Sequence, residues 1–184
     1  MLYEYILLIF TFFVMAFLIL FCISLLNAIF RGVPQVGTFG EPKVVLEREL
    51  PKILHEGKTL LDLGSGTGKM ARFCARECSL RVIGYEIDIS NWLIAKFLNV
   101  VHGIKGVEYR RKNFYTLTEK DFEHIDYVYI YLFPELMKKI EERLVPKMKK
   151  GTIIVTNGFV FPNLKPYQTF KRETGKDVVY VYEV

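Results

Sequence analysis

Charge is missing from one long stretch of this chain. Residues 5–30, Tyr5 to Phe30, contain no Asp, Glu, Lys, Arg or His. Cysteine is scarce as well: Cys22 lies in that stretch, and Cys74 and Cys78 are four residues apart. Three cysteines do not make a disulfide framework. Nor do they supply a metal site, because there is no second Cys pair and His55, His102 and His124 are scattered without ligand spacing. No metal is expected, and Cys74 and Cys78 read as thiols on the inner face of a helix. The chain also lacks a Lys-Ser or Lys-Thr pair after its glycine run, which excludes a P-loop. Its like charges cluster only briefly, as at Lys147, Lys149 and Lys150, which read as an exposed helix end. The formal net charge is +5 over 184 residues, and all 25 Lys and Arg lie beyond residue 30. Spread this thinly, the excess reads as a solvated surface that favours anionic headgroups or acidic partners, and no nucleic acid is expected.

As a helix, the uncharged run would reach about 39 Å at ~1.5 Å per residue, longer than the ~30 Å hydrocarbon core of a bilayer. It reads as a transmembrane anchor that contacts the bilayer through residues 5–30. A cleaved signal peptide fits less well: Glu4 stands where a basic region belongs, and no small-residue cleavage site follows. A buried soluble helix of this length without a polar face would be unusual. Arg31, Lys43, Arg48 and Lys52 follow the run and only Glu4 precedes it. A single pass with the C-terminal domain on the cytoplasmic or equivalent side is therefore expected. The chain divides into an anchor (1–31), a Gly/Pro-rich linker (32–42) and a domain (43–184).

Residues 60–68 read Leu-Leu-Asp-Leu-Gly-Ser-Gly-Thr-Gly. Apolar residues lead to Asp62, and Gly64, Gly66 and Gly68 follow at alternate positions. Eighteen residues after Gly68, a second apolar run ends in Glu86. Strand, glycine turn, helix and a second strand ending in a carboxylate form half of a nucleotide-binding α/β fold. A dinucleotide pattern needs Gly at position 69, which is Lys. Asp62 before the turn would repel a pyrophosphate and attract an ammonium, and Glu86 can take two ribose hydroxyls. A ligand with a ribose, a positive charge and no phosphate fits, and S-adenosylmethionine is such a ligand.

The spacing of apolar residues predicts the remaining elements. A helix from Pro42 to about Leu54 places Val45, Leu46, Leu50 and Leu54 on one face. Strands are expected at Thr59–Leu63, Arg81–Glu86, Val107–Lys112, Tyr127–Leu132 and Thr152–Asn157. Helices are expected at 69–77, at 90–102 with Ser90 as N-cap, and at 134–144. A hairpin, Tyr167–Arg172 and Val178–Tyr182, closes the chain. The pattern implies a mostly parallel sheet with an antiparallel C-terminal hairpin.

The run at 60–68 resembles motif I of the class I methyltransferases, and Glu86 matches the acidic residue ending their second strand. The layout also resembles a narrower family of membrane-anchored protein-lysine methyltransferases, which includes the mitochondrial enzymes for the adenine nucleotide translocator and the ATP synthase c-subunit. The segments that carry this are Pro34–Thr38, Asn113–Tyr115, Tyr131–Leu136 and Asn157–Pro162. The first departs from the family pattern, with Gly37 in place of a proline. The resemblance implies a Rossmann-like sheet binding S-adenosyl-L-methionine through Asp62, Gly64, Ser65, Gly66, Gly68, Glu86 and Ile87. It adds Thr38 at the methionine carboxylate and Asn113 and Phe114 at the adenine. It makes Tyr131 the candidate catalytic residue, orienting an amine, and Phe159 and Pro162 walls of a substrate channel, with Phe161 beside them. Core packing accounts for the aromatic residues almost as well.

The implied acceptor is a lysine of a membrane-associated protein. The Asp/Asn-Pro-Pro-Tyr signature of enzymes methylating adenine or glutamine is absent from strand four. Two other readings stay open: a methyltransferase for a lipid or quinone, and a non-catalytic module that binds S-adenosylmethionine.

Overall fold

The computed structural model describes residues 2–31 and 41–184. Helix α1 spans Leu2–Arg31 and α2 Glu41–Ile53. The domain continues through β1 (Thr59–Leu63), α3 (Lys69–Glu77), β2 (Arg81–Glu86), α4 (Ile89–Val101) and β3 (Val107–Arg111). It ends with α5 (Glu119–Phe122), β4 (Tyr127–Ile130), α6 (Pro134–Arg143), β5 (Ile153–Asn157), β6 (Gln168–Lys171) and β7 (Asp177–Glu183).

The seven strands form one sheet in the order β3-β2-β1-β4-β5-β7-β6. β1 is buried along its whole length, because it sits between β2 and β4 with helices over both faces. This explains its continuous apolar run. β7 alone runs antiparallel to its neighbours, slotting between β5 and β6. The terminal hairpin therefore forms, but its second strand lies inside the sheet and its first forms the edge. The order reverses between β1 and β4, and this crevice at the C-terminal strand ends is where open α/β sheets bind ligands.

One face of the sheet is covered by α2, α3 and α4, with Leu46, Leu50, Ala71, Cys74 and Ala95 packed against Leu60, Val82, Tyr109 and Tyr129. The other is covered by α5 and α6, with Phe122, Met137 and Ile140 packed on Leu61, Leu63 and Ile130. The four apolar residues foreseen on α2 are all buried. Each fully buried leucine contributes about 1.5–3 kcal/mol. Cys74 and Cys78 are free and buried.

Helix α4 begins one residue earlier than its spacing predicts. Asp88, not Ser90, is the N-cap, accepting hydrogen bonds from the Ser90 and Asn91 N–H groups at 3.0 Å each. Ser90 instead donates its hydroxyl to the Leu20 carbonyl of α1 at 3.1 Å. The span Leu2–Cys22 of α1 is long and apolar enough to cross a membrane, and none of its most apolar window is buried. Within this chain that window is therefore not part of a buried core.

Gly68 is required by packing. Its φ is +75°, and an added Cβ would stand 2.2 Å from the Tyr109 hydroxyl. That hydroxyl donates to the Gly68 carbonyl at 3.1 Å. Gly57 has φ +76° but open space around it. Gly57→Ala is expected to cost only the left-handed strain, about 1–2 kcal/mol. Gly68→Ala adds overpacking, for a total of about 2–5 kcal/mol. Thermal unfolding in detergent checks this: the two melting temperatures should separate, with the Gly68 variant lower by several degrees.

Candidate active site

The turn between β1 and α3 is held from both sides. The Tyr85 carbonyl accepts from the Gly64 and Ser65 N–H groups at 2.9 and 3.0 Å. The Glu86 carboxylate accepts from the Gly66 N–H at 2.8 Å through one oxygen. Its other oxygen accepts from the Ile87 and Asp88 N–H groups, each at 2.8 Å. One buried carboxylate thus ties the glycine turn to the β2–α4 turn. Burial raises its pKa, while the three backbone donors pull it down. Gly66, at φ +54°, has nothing within 4 Å of where a Cβ would lie. The middle of the turn therefore faces open space, and a ligand can approach its backbone closely.

Asp62 lies at the C-terminal half of β1, opposite Gly84 of β2 and Tyr129 of β4. It is 2% exposed, and its Oδ2 has no hydrogen-bond partner. Burial, with the charge of Glu86 adding to it, pushes its carboxyl up to about 7. Ser65 is also buried with an unpartnered hydroxyl oxygen. An acceptor that is costly to leave bare, next to an open glycine backbone, fits a cationic ligand.

The other sequence-derived residues separate into groups. Ile87 is 41% exposed at the rim of the same turn. Asn113 is exposed and its Oδ1 accepts from the Tyr115 N–H at 3.0 Å, so that oxygen caps the short 3-10 turn at Phe114–Thr116. The half-buried Phe114 ring lies tilted by 53° against Tyr115, with centroids 4.6 Å apart. Tyr131 lies just past the end of β4, its ring 3.6 Å from where a Cβ of Gly158 would stand. Phe159 is half-buried and Pro162 exposed. Phe161 is core: it is 3% exposed and packs edge-on against Tyr182, with ring centroids 5.0 Å apart. Thr38 and most of the 32–42 linker lie outside the described residues.

Sequence reasoning gave no individual role to two residues. Tyr109 is the first, because the contact beneath Gly68 and Gly84 is made across the sheet. Asn157, at the end of β5, is the second. It is buried on the same sheet face as Asp62 and Tyr129; its Nδ2 donates to the Tyr129 hydroxyl at 3.3 Å, and its Oδ1 has no partner. A buried polar residue closing an apolar strand, Ile-Ile-Val-Thr-Asn, was the available signal.

A profile described as the ANTKMT methyltransferase domain matches residues 62–168, more than half of the chain. The chain belongs to this family. It is 28% identical to the adenine nucleotide translocase lysine N-methyltransferase of Mus musculus over 169 residues, covering 87% of this chain and 69% of that one. It is 25% identical to the ATP synthase C-subunit lysine N-methyltransferase of Rattus norvegicus over 76% of this chain and 62% of that protein. Among solved structures, an RNA methyltransferase from Salinibacter ruber in complex with S-adenosyl-L-homocysteine superposes with a TM-score of 0.70 and 28% identity, covering 80% of this chain and 93% of that one. Family membership and the fit of Asp62, Ser65 and Gly66 make the protein a class I S-adenosylmethionine-dependent methyltransferase. The family's glycine turn, Asp62 and Glu86 would hold the cofactor, which supplies a methyl group activated by its sulfonium when bound.

Asp62 gives the site a pH dependence of known sign. Its raised pKa means that the ligand-free fold is favoured below the unfolded value of about 3.9, an advantage lost as pH rises through about 7. An ammonium beside it favours the ionised form, so binding below pH 7 releases a proton. Affinity for S-adenosylhomocysteine is expected to climb from about pH 5 to 7, by up to about tenfold per unit. Asp62→Asn should bind more weakly and flatten the climb. Titration calorimetry in two buffers of different ionisation enthalpy measures both the affinity and the proton released.

Proposed function

We propose that the protein methylates a lysine side chain of a membrane-associated protein, while held in a bilayer by a single pass of α1 with its domain on the cytoplasmic side. The observation that carries this is the kinship with lysine N-methyltransferases over most of the domain. The exposed apolar α1 supports the anchor, and the basic residues that follow it support the orientation. In this reading the 32–42 linker, Thr38 included, contributes to the cofactor site. Ile87, Asn113 and Phe114 flank its ribose and adenine.

A lysine amine has a pKa of about 10.4 in water and must shed a proton before its lone pair can attack a methyl carbon. The chain's part is to desolvate the amine and hold it in line. Tyr131 and Phe159, half-buried past the ends of β4 and β5, supply apolar walls, with Pro162 at the exposed rim. The unpartnered Asn157 Oδ1 is an acceptor for an amine N–H in the same strand-end region. Neither Tyr131 nor Asn157 adds charge beside the amine, which leaves desolvation free to lower its pKa.

A second reading has one observation behind it: the Salinibacter ruber chain is described as an RNA methyltransferase. Radiolabelled cofactor incubated with membrane extract from cells that carry or lack the gene separates these readings and the lipid one. Label in protein as methyl-lysine, absent when the gene is deleted, is the expected result. Label in RNA or lipid would overturn the lysine assignment. Protein stripped from membranes by carbonate would overturn the anchor.

Activity should rise from about pH 7 towards 9 as the amine deprotonates. Tyr131→Phe should lower kcat by roughly tenfold or more with little change in cofactor affinity if its hydroxyl orients the amine. Single-turnover kinetics at fixed cofactor saturation measure this.

A further inference from the structure

Helix α4 turns one side to the sheet, where Ala95 is fully buried, and beyond its contact with α1 its other side carries exposed apolar residues. Leu93, Phe97, Val100 and Val101 follow helical spacing and are 41, 66, 79 and 60% exposed. An apolar stripe of this kind on a domain surface marks something that covers it. No acidic residue lies on α4. Lys96 is exposed on it, with its ammonium 4.6 Å from the Trp92 ring, and exposed Lys105 and Arg111 lie on the following loop and on β3.

The position of α1 says what the cover is. It meets α4 at the bond between Ser90 and the Leu20 carbonyl. From Leu2 to Leu20 the helix rises about 27 Å, close to the ~30 Å hydrocarbon thickness. If that length fills the core, the bilayer boundary falls at the level of α4. We propose that the Leu93–Phe97–Val100–Val101 face of α4 lies in the lipid headgroup boundary as a second contact beside the anchor. Trp92 and Lys96 sit at the polar level, and Lys105 and Arg111 face anionic headgroups. Aromatic and long basic side chains favour that depth. Such a face sinks about 5–10 Å into the interface. The proposal rests on the anchor reading above, and goes beyond it by fixing the domain's orientation on the membrane.

Lipid quenching of a site-specific dye tests it in the full chain. Cys22→Ser removes the exposed thiol, and Cys74 and Cys78 stay buried. An environment-sensitive dye is placed singly at Phe97→Cys or Val100→Cys, at Phe13→Cys in α1, and at Glu173→Cys in the β6–β7 turn as an aqueous control. The protein is reconstituted in phosphatidylcholine–phosphatidylglycerol vesicles with or without lipids brominated near the headgroup end of the chain. S-adenosylhomocysteine binding reports that each variant is folded.

Dyes at 97 and 100 should shift to the blue and dim by roughly twofold with brominated lipid, while the dye at 173 does not. If the dye at 13 dims and those at 97 and 100 behave like 173, the α4 contact is overturned and the anchor stands. If the dye at 13 is also unquenched, the anchor fails and this contact with it. Thiol cross-linking between copies through position 100, with the dye shielded from lipid, would assign the face to a second copy and overturn the proposal.

Discussion

The Glu86 carboxylate is the joint around which this site is built. Three backbone N–H groups from two separate turns converge on its two oxygens. Burying a carboxylate is costly, and charge-assisted hydrogen bonds of about 1.5–3 kcal/mol each offset that cost. Remove the carboxylate and the Gly66 N–H loses its partner together with those of Ile87 and Asp88. The glycine turn and the start of α4 would then be free to separate. The same carboxylate adds to the rise that burial gives the pKa of Asp62. A structural bond and an electrostatic setting of the cofactor site thus come from one side chain.

Asp62 carries the complementary burden. Its Oδ2 is buried with no donor aimed at it, an arrangement that disfavours the ligand-free ionised state. An ammonium relieves this in a way a neutral group does not. Strain of this kind in the free protein becomes selectivity for a cationic ligand, because the gain on binding includes the relief of a bare acceptor. Gly66 adds the steric half of the same selection, leaving room where a side chain would stand.

What was legible in the sequence follows the range of the forces involved. The glycine turn, Asp62 and Glu86 were readable because each requirement is local to a strand end. The α2 face was readable because Val45, Leu46, Leu50 and Leu54 repeat at helical spacing. The α4 cap was misplaced because Asp88 and Ser90 both suit an N-cap; the choice is made by Glu86, whose oxygen fixes the Ile87 and Asp88 N–H groups and so starts the helix at Ile89. Phe159 and Phe161 could not be told apart along the chain. Only the position of Tyr182, twenty-one residues beyond Phe161, makes one of them core. Tyr109 was illegible for the same reason: the strand that carries it must pair before its hydroxyl reaches Gly68.

A continuous set of hydrogen bonds joins the cofactor turn to α1. Gly66 donates to Glu86, Glu86 accepts from Asp88, Asp88 caps α4 through Ser90, and Ser90 donates to Leu20. Contiguity alone does not show that a signal passes along it. Its consequence is geometric. A site tied to a bilayer by a loose tether samples many heights and angles, and its effective concentration for a given acceptor falls with the volume explored. The bond from Ser90 to Leu20 of α1 ties the turn that Glu86 organises to that helix, and under the proposed anchor it restricts such freedom. With α1 in a bilayer as proposed, an acceptor protruding from the membrane meets the strand ends at a restricted height, and acceptors beyond that height are excluded by distance. Under the function proposed above, substrate choice rests on where a lysine stands relative to the lipid as much as on the sequence around it.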